Sequence, residues 1–221
     1  MADFQIFINK LKESLTLPLP GEKAQMPMVP PTRREALFHL KKDEKAKPSA
    51  VLILFYPGGN DTRFILIERA TYNGIHSGQI ALPGGQFESP DVDLRTTALR
   101  EAKEETGIDP AQVEIIGTLT KVYIPPSHFD VYPFVGYTEE KPAFRVDNTE
   151  TKAILEIKLN NFLNPDCQTV KSIKHRTGLD VEVPCFFLNS RIVWGATAMI
   201  LSELLEIIKR KLFPGKLNRP I

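Results

Sequence analysis

Between Gly84 and Ile108 the chain reads GGQFESPDVDLRTTALREAKEETGI: a glycine turn, a helix and a glycine stop. No other stretch limits the possible folds as much. The helix is expected to start near Asp91 or Asp93, either of which can cap it, and carboxylates in a first turn also suit the positive end of the helix dipole. Gly107 fits the left-handed position after the last turn, and Pro110 blocks continuation. Within the helix Glu101, Glu104 and Glu105 stand at i, i+3 and i+4, so their carboxylates fall inside an arc of roughly 100°. Ala98, Leu99 and Ala102 form an apolar arc beside them. One side of the helix is therefore expected to pack on a sheet while the next carries crowded like charges, which repel unless a cation neutralises them. Hard oxygen donors suit Mg²⁺ or Mn²⁺; the alternative is a solvated acidic face.

The flanks predict a layered α/β domain with mixed strands and few helices, and not a strict βαβ winding. Residues 49–56 (SAVLILFY) and 64–68 (FILIE) read as buried strands joined by the turn at Pro57–Asp61. Residues 69–78 read as a loop, and Gln79–Leu82 as a short strand entering Pro83-Gly84-Gly85. Downstream, Val113–Val122, Val131–Tyr137 and Lys152–Leu159 read as strands. Gln168–Ile173 and Val181–Leu188 read as a hairpin around Arg176-Thr177-Gly178, and Gly195–Leu212 as an amphipathic helix. Phe4, Phe7, Ile8, Leu11 and Leu15 recur at helical spacing, so residues 3–15 form a short helix. Five prolines in the fifteen residues from Leu17 then predict an extended connector. The expected organisation is residues 1–34 as an N-terminal helix and Pro-rich arm, and 35–215 as the main domain.

A chain of 221 residues with 42% apolar and 25% charged side chains can bury a substantial core. Its net charge of +1 gives no global field for nucleic acid or an acidic membrane. Cys167 and Cys185 have no metal-ligand spacing and read as free thiols, with a single disulfide as the alternative; the N-terminus lacks the basic and apolar regions of a signal peptide, and no run is long enough to span a bilayer. The expected setting is cytoplasmic.

Arg100–Ile108, REAKEETGI, resembles the second half of the Nudix box, R-E-U-x-E-E-x-G-U, with Gly85 as its opening glycine. The span from Gly85 to Arg100 is one residue longer than the box, and Asp91 or Asp93 stands for its first glutamate. Leu66–Gly85 is similar to the upstream motif of the coenzyme A pyrophosphatase subfamily through Arg69, Ala70, Gly78 and Pro83-Gly84-Gly85. It departs from that motif at Gly74, in place of an arginine, and at Leu82, in place of a phenylalanine. PPSHFDVYPFVGY and VWGATAMILSELL are also similar to that subfamily, so the likeness covers roughly residues 35–212.

The resemblance implies a Nudix fold, an α/β/α sandwich with a mixed β-sheet. It also implies metal-dependent cleavage of a nucleoside diphosphate linked to another moiety. CoA or acyl-CoA would give 3′,5′-ADP and (acyl-)4′-phosphopantetheine; NADH, ADP-ribose or a dinucleotide is the alternative substrate, and a non-catalytic binding domain the alternative class. Mg²⁺ or Mn²⁺ would sit on Glu101, Glu104 and Glu105. Arg100, expected to project away from the centre of that trio, would orient a glutamate. Glu150 is the candidate general base, with Glu105 and Glu101 as competitors. Arg69, Gly84, Gly85, His76 and Phe129 are candidate substrate contacts: Arg69 meets a phosphate or pairs with a carboxylate, and Phe129, with Tyr132, stacks a base or joins the core. His76 and His128 fall in loops, and Trp194 reads as a packing anchor more than a base platform. The partner is a small nucleotide-containing molecule, not nucleic acid or membrane, and the subfamily also admits a homodimer.

Overall fold

The computed structural model describes residues 2–31, 46–70, 78–146, 149–174 and 180–212. Within them the run of β-branched and apolar residues at β1 (Lys47–Pro57) forms the central strand, with Leu52 to Tyr56 fully buried. β1 pairs antiparallel with β2 (Thr62–Arg69) only near their shared turn, from Phe55 to Pro57. The two strands then separate, and Ile80–Gln86 enters the gap. β3 (Ile80–Ala81) pairs with β2, and β4 (Gly84–Gln86) pairs with β1. This insertion fixes where the glycine turn lies.

On its other edge β1 runs parallel to β7 (Phe129–Tyr137), which also carries β5 (Glu114–Thr118) and β6 (Val122–Ile124), while β8 (Thr151–Lys158) pairs antiparallel with β2. The sheet is thus mixed. The single strand expected over 113–122 is two strands, since Leu119–Lys121 leaves the ladder between β5 and β6. β9 (Gln168–Lys174) and β10 (Asp180–Leu188) form the expected antiparallel pair, and β11 (Arg191–Trp194), which the sequence pattern does not reveal, completes a separate three-stranded sheet. Residues 176–178, the expected turn, lie outside the described residues.

Helices cover both faces of the larger sheet. α1 (Ala2–Leu15) and the C-terminal α5 (Gly195–Leu212) pack on the face carrying Ile53, Phe55, Phe64 and Leu66. α3 (Leu94–Thr106) packs Ala98 and Ala102 against the opposite face, on Leu52, Leu54, Tyr56 and Ile65. The result is an α/β/α sandwich. Alternation along β1 and β2 divides their side chains between the two cores, as the period of two requires. A short helix, α4 (Leu159–Leu163), follows β8.

The N-terminal segment is not an arm laid over the domain. Phe4, Phe7, Ile8 and Leu11 are buried in the main core, and the proline-rich stretch contains α2 (Glu22–Gln25) and a 3₁₀ turn at Met26–Met28. A buried carboxylate anchors it: Glu203 on α5 accepts from Gly21 N (3.0 Å), Gln25 Nε2 (2.9 Å) and Thr120 Oγ1 (2.6 Å). A buried charge is tolerated because these donors replace its water. The boundary expected near residue 34 lies outside the described residues. Cys167 and Cys185 are buried free thiols.

Candidate active site

The glycine turn and α3 meet through the backbone. Gly84 N donates to Glu105 Oε2 (2.8 Å), tying the last turn of α3 to the start of β4. Glu105 is 1% exposed along its side chain, and its other oxygen accepts from Arg69 Nη1 (3.0 Å) at the end of β2. Burial pushes the Glu105 carboxyl up to about 7; the Gly84 N–H and Arg69 oppose that rise, and the charges of Glu101 and Glu150 add to it. Burial also raises the carboxyl of Glu101, 13% exposed, against the opposing pull of Arg100, and the charges of Glu104 and Glu150 add to the rise. Glu104 is 56% exposed, at the solvent side of the cluster.

Asp91 and Asp93 divide the two roles that the sequence leaves open. Asp93 is the helix cap, accepting from Thr96 N (2.7 Å). Asp91 is buried and faces Arg100, accepting from Nε (2.9 Å) and Nη2 (3.1 Å), and also from Thr97 Oγ1 (2.8 Å) and Glu88 N (3.1 Å). Counted from Gly85, Asp91 stands at the spacing of the box's first acid, so the added residue falls between Asp91 and Arg100. Arg100 does not project away from the trio. Its Nη1 donates to both Glu101 Oε1 (2.9 Å) and Glu104 Oε2 (3.0 Å). A long, planar, multidentate side chain at i−1 and i−4 can reach both carboxylates while Asp91 holds its far edge.

The Arg100 pairing holds the Asp91 carboxyl down to about 2, helped by the Glu88 N–H and Thr97. A depressed carboxyl contributes stability that is full above its unfolded value near 3.8 and is lost as pH falls through about 2. Asp91→Asn is therefore expected to cost about 2 kcal/mol at neutral pH. It should also flatten the fall in melting temperature between roughly pH 4 and 2, as read by a thermal melt series.

Glu150 lies beside this cluster because of a register shift. Arg69 pairs with Thr151 while Glu68 pairs with Ala153, so Lys152 is an extra residue on β8. The bend brings Glu150 alongside β2, where its carbonyl accepts from Ala70 N (2.8 Å). Its side chain is exposed, and among the described residues its carboxylate has no ion pair.

A cleft of about 700 Å³ opens along the turn, lined by Arg69, Gln79 and Leu82 as well as Gly84, Gly85 and Gln86. Phe129 lines it, half-buried, from the start of β7. Tyr132 instead lies under the Lys121 ammonium and is not on the cleft. His128 meets the edge of Tyr123, and His76 lies outside the described residues. The sequence reading missed part of the cleft wall: Trp194, read as an anchor, lines it together with Ile173, Lys174 and the first turn of α5. The one signal was a tryptophan followed at once by glycine at a helix start, a position where a large ring cannot be enclosed by its own strand.

As they stand, no three acidic or histidine side chains among the described residues gather about one point. Arg100 holds Glu101 and Glu104, and Arg69 holds Glu105. The donor set nevertheless fits a hard divalent cation. It is all oxygen, it lies on one rigid helix, and a Cβ at Gly85 would overlap the Glu101 carboxyl group, so the glycine leaves space where that carboxylate lies.

A glutamate-bearing helix locked to a glycine turn, on a mixed sheet between helices and beside a deep cleft, defines the class of Nudix domains. The NUDIX domain family matches residues 46–166, which span that turn, helix and sheet. The chain belongs to the Nudix family. Its relatives include Nudix hydrolase 15, mitochondrial, of Arabidopsis thaliana, 32% identical over 76% of this chain and 62% of that protein. Another is the uncharacterized Nudix hydrolase NudL of Enterobacter sp., 37% identical over 63% of this chain and 72% of that protein. The match thus spans less than two thirds of the Arabidopsis relative. A solved Nudix hydrolase from Nitrosomonas europaea is similar with a TM-score of 0.48 and 15% identity, covering 77% of this chain and 74% of that one.

Proposed function

We propose that the chain is a divalent-metal-dependent pyrophosphohydrolase whose substrate is CoA or an acyl-CoA, cleaved to 3′,5′-ADP and (acyl-)4′-phosphopantetheine. The observation that carries the reading is the lock between Glu105, Gly84 and Arg69 at the cleft, which puts a carboxylate helix, a backbone turn and a guanidinium at one place. Glu101, Glu104 and Glu105 would hold Mg²⁺ or Mn²⁺, which when bound neutralises diphosphate charge and lowers the pKa of water.

Arg69 lines the cleft and pairs with Glu105, so the phosphate-contact and carboxylate-partner readings of this residue meet in one geometry. Gly84 and Gly85 bring backbone close to the diphosphate. Arg100, fixed by Asp91, positions Glu101 and Glu104. Glu150 is the general base in this scheme. Both Glu105 oxygens are engaged and Glu101 is held by Arg100, whereas the Glu150 carboxylate is exposed beside them. Water adds to one phosphorus, Glu150 takes its proton, and the bridging oxygen leaves with the other phosphate.

The test is incubation of the protein with CoA and Mg²⁺ or Mn²⁺, with products read by mass spectrometry. ADP-ribose, NADH and dinucleotides run in parallel. The expected products are 3′,5′-ADP and 4′-phosphopantetheine. Hydrolysis of another substrate without hydrolysis of CoA overturns the CoA assignment, and no product from any substrate favours a binding domain over an enzyme.

A further inference from the structure

We infer that Trp194 determines specificity by recognising the arm of the substrate that does not carry the base; the inference rests on the CoA reading above. Trp194 ends β11, where Gly195, with φ 68°, turns the chain into α5. Its strand neighbour in the ladder, Cys185, is fully buried, yet Trp194 itself is only half-buried and joins neither core cluster among the described residues. It lines the cleft instead. The part of the ring that stays uncovered is apolar area that a ligand laid against it covers.

The turn side of the cleft carries most of its polar lining. Arg69 at the end of β2 and Gln79 and Gln86 at the borders of β3 and β4 supply polar groups there, beside the apolar Ile80, Ala81 and Leu82. Next to Trp194 along the chain the lining is Ala196 and Ile200, with Thr197 as the polar exception. A base needs hydrogen bonds along its edges to be distinguished, and an aliphatic wall offers mainly area. A pantetheine arm, with its methyl-bearing and methylene carbons, suits such a wall. β11 packs against β3, so the wall stands beside the strand that leads into Pro83-Gly84-Gly85, where an arm leaving a diphosphate at that turn would meet it. Ile173, Trp194 and α5 all lie beyond the residues matched by the family, 46–166. The wall is thus built by the part of this chain outside the family module.

Trp194 is the only tryptophan in the chain, so its emission reports this wall alone. Titration of the Glu105→Gln protein in Mg²⁺ should show a saturable emission change with CoA and with 4′-phosphopantetheine, and none with 3′,5′-ADP. Trp194→Ala should raise the KM for CoA by about tenfold or more with kcat within about threefold of wild type, while Trp194→Phe keeps both. An emission change with 3′,5′-ADP, or none with CoA when calorimetry registers its binding, overturns the inference. So does a loss of kcat at unchanged KM in Trp194→Ala. CoA that is hydrolysed without perturbing Trp194 sinks the inference alone; CoA that binds and perturbs Trp194 but is not hydrolysed by wild type sinks the proposed activity alone. CoA that neither binds nor reacts overturns both.

Discussion

Glu105→Gln is expected to lower kcat by at least about 100-fold while the protein stays folded. Groups that merely orient a metal ligand are worth about 10- to 100-fold, so loss of a ligand's own charge belongs at or above the upper end of that range. The fold survives because glutamine has the shape of glutamate and its carbonyl can still accept from Gly84 N, although its NH2 then replaces the oxygen that accepts from Arg69 Nη1. Removing a buried charge whose carboxyl burial already pushes up to about 7 costs the folded state little. Steady-state kinetics beside a thermal melt and far-UV circular dichroism separate the two effects. Turnover within a few-fold of wild type would remove Glu105 from the proposed metal ligands.

The second large contrast lies between adjacent glycines. At Gly84, φ is 152° and a Cβ would strike the Ala50 carbonyl and approach Val51 Cα to 2.6 Å, both backbone atoms of β1. Gly84→Ala must therefore force β4 away from β1, and is expected to cost about 3–5 kcal/mol, combining backbone strain with overpacking. At Gly85 the atoms in the way are the far end of the Glu101 side chain, which can swing aside. Gly85→Ala is expected to leave stability within about 1 kcal/mol but to lower kcat by about 10- to 100-fold, because Glu101 leaves its place. Denaturant unfolding and kinetics on both variants check the pair. Equal destabilisation by the two substitutions would contradict the separation of strand packing from carboxylate placement.

Much of the fold was legible because its signals are local. The run at 49–56 and the alternation at 64–68 have the composition of buried strands, and Asp93 and Gly107 bound a helix whose cap and left-handed stop the structure contains. β11 was not legible: four residues, RIVW, give too short a pattern to separate from the turn and helix beside them. The N-terminal helix was legible as a helix but not as core, since periodicity tells which face is apolar and not what covers it. The candidate site divides in the same way. The carboxylate trio follows from spacing on one helix, whereas the partners of Arg100 depend on a rotamer and on how the loop from Gly85 to Asp93 folds back.

The sequence by itself determined the carboxylate cluster and the helix that carries it: Glu101, Glu104 and Glu105 at i, i+3 and i+4 share a face wherever that helix lies. Only the tertiary structure decided what faces them. The gap between β1 and β2 admits β3 and β4, which sets Gly84 against Glu105; the register shift in β8 sets Glu150 beside them; and β11 turns Trp194 into the cleft from more than a hundred positions away along the chain from Gly84. The physical reason is one of range. Helix periodicity and capping act over a few residues, while strand insertion, bulges and sheet packing depend on contacts between segments far apart in the chain.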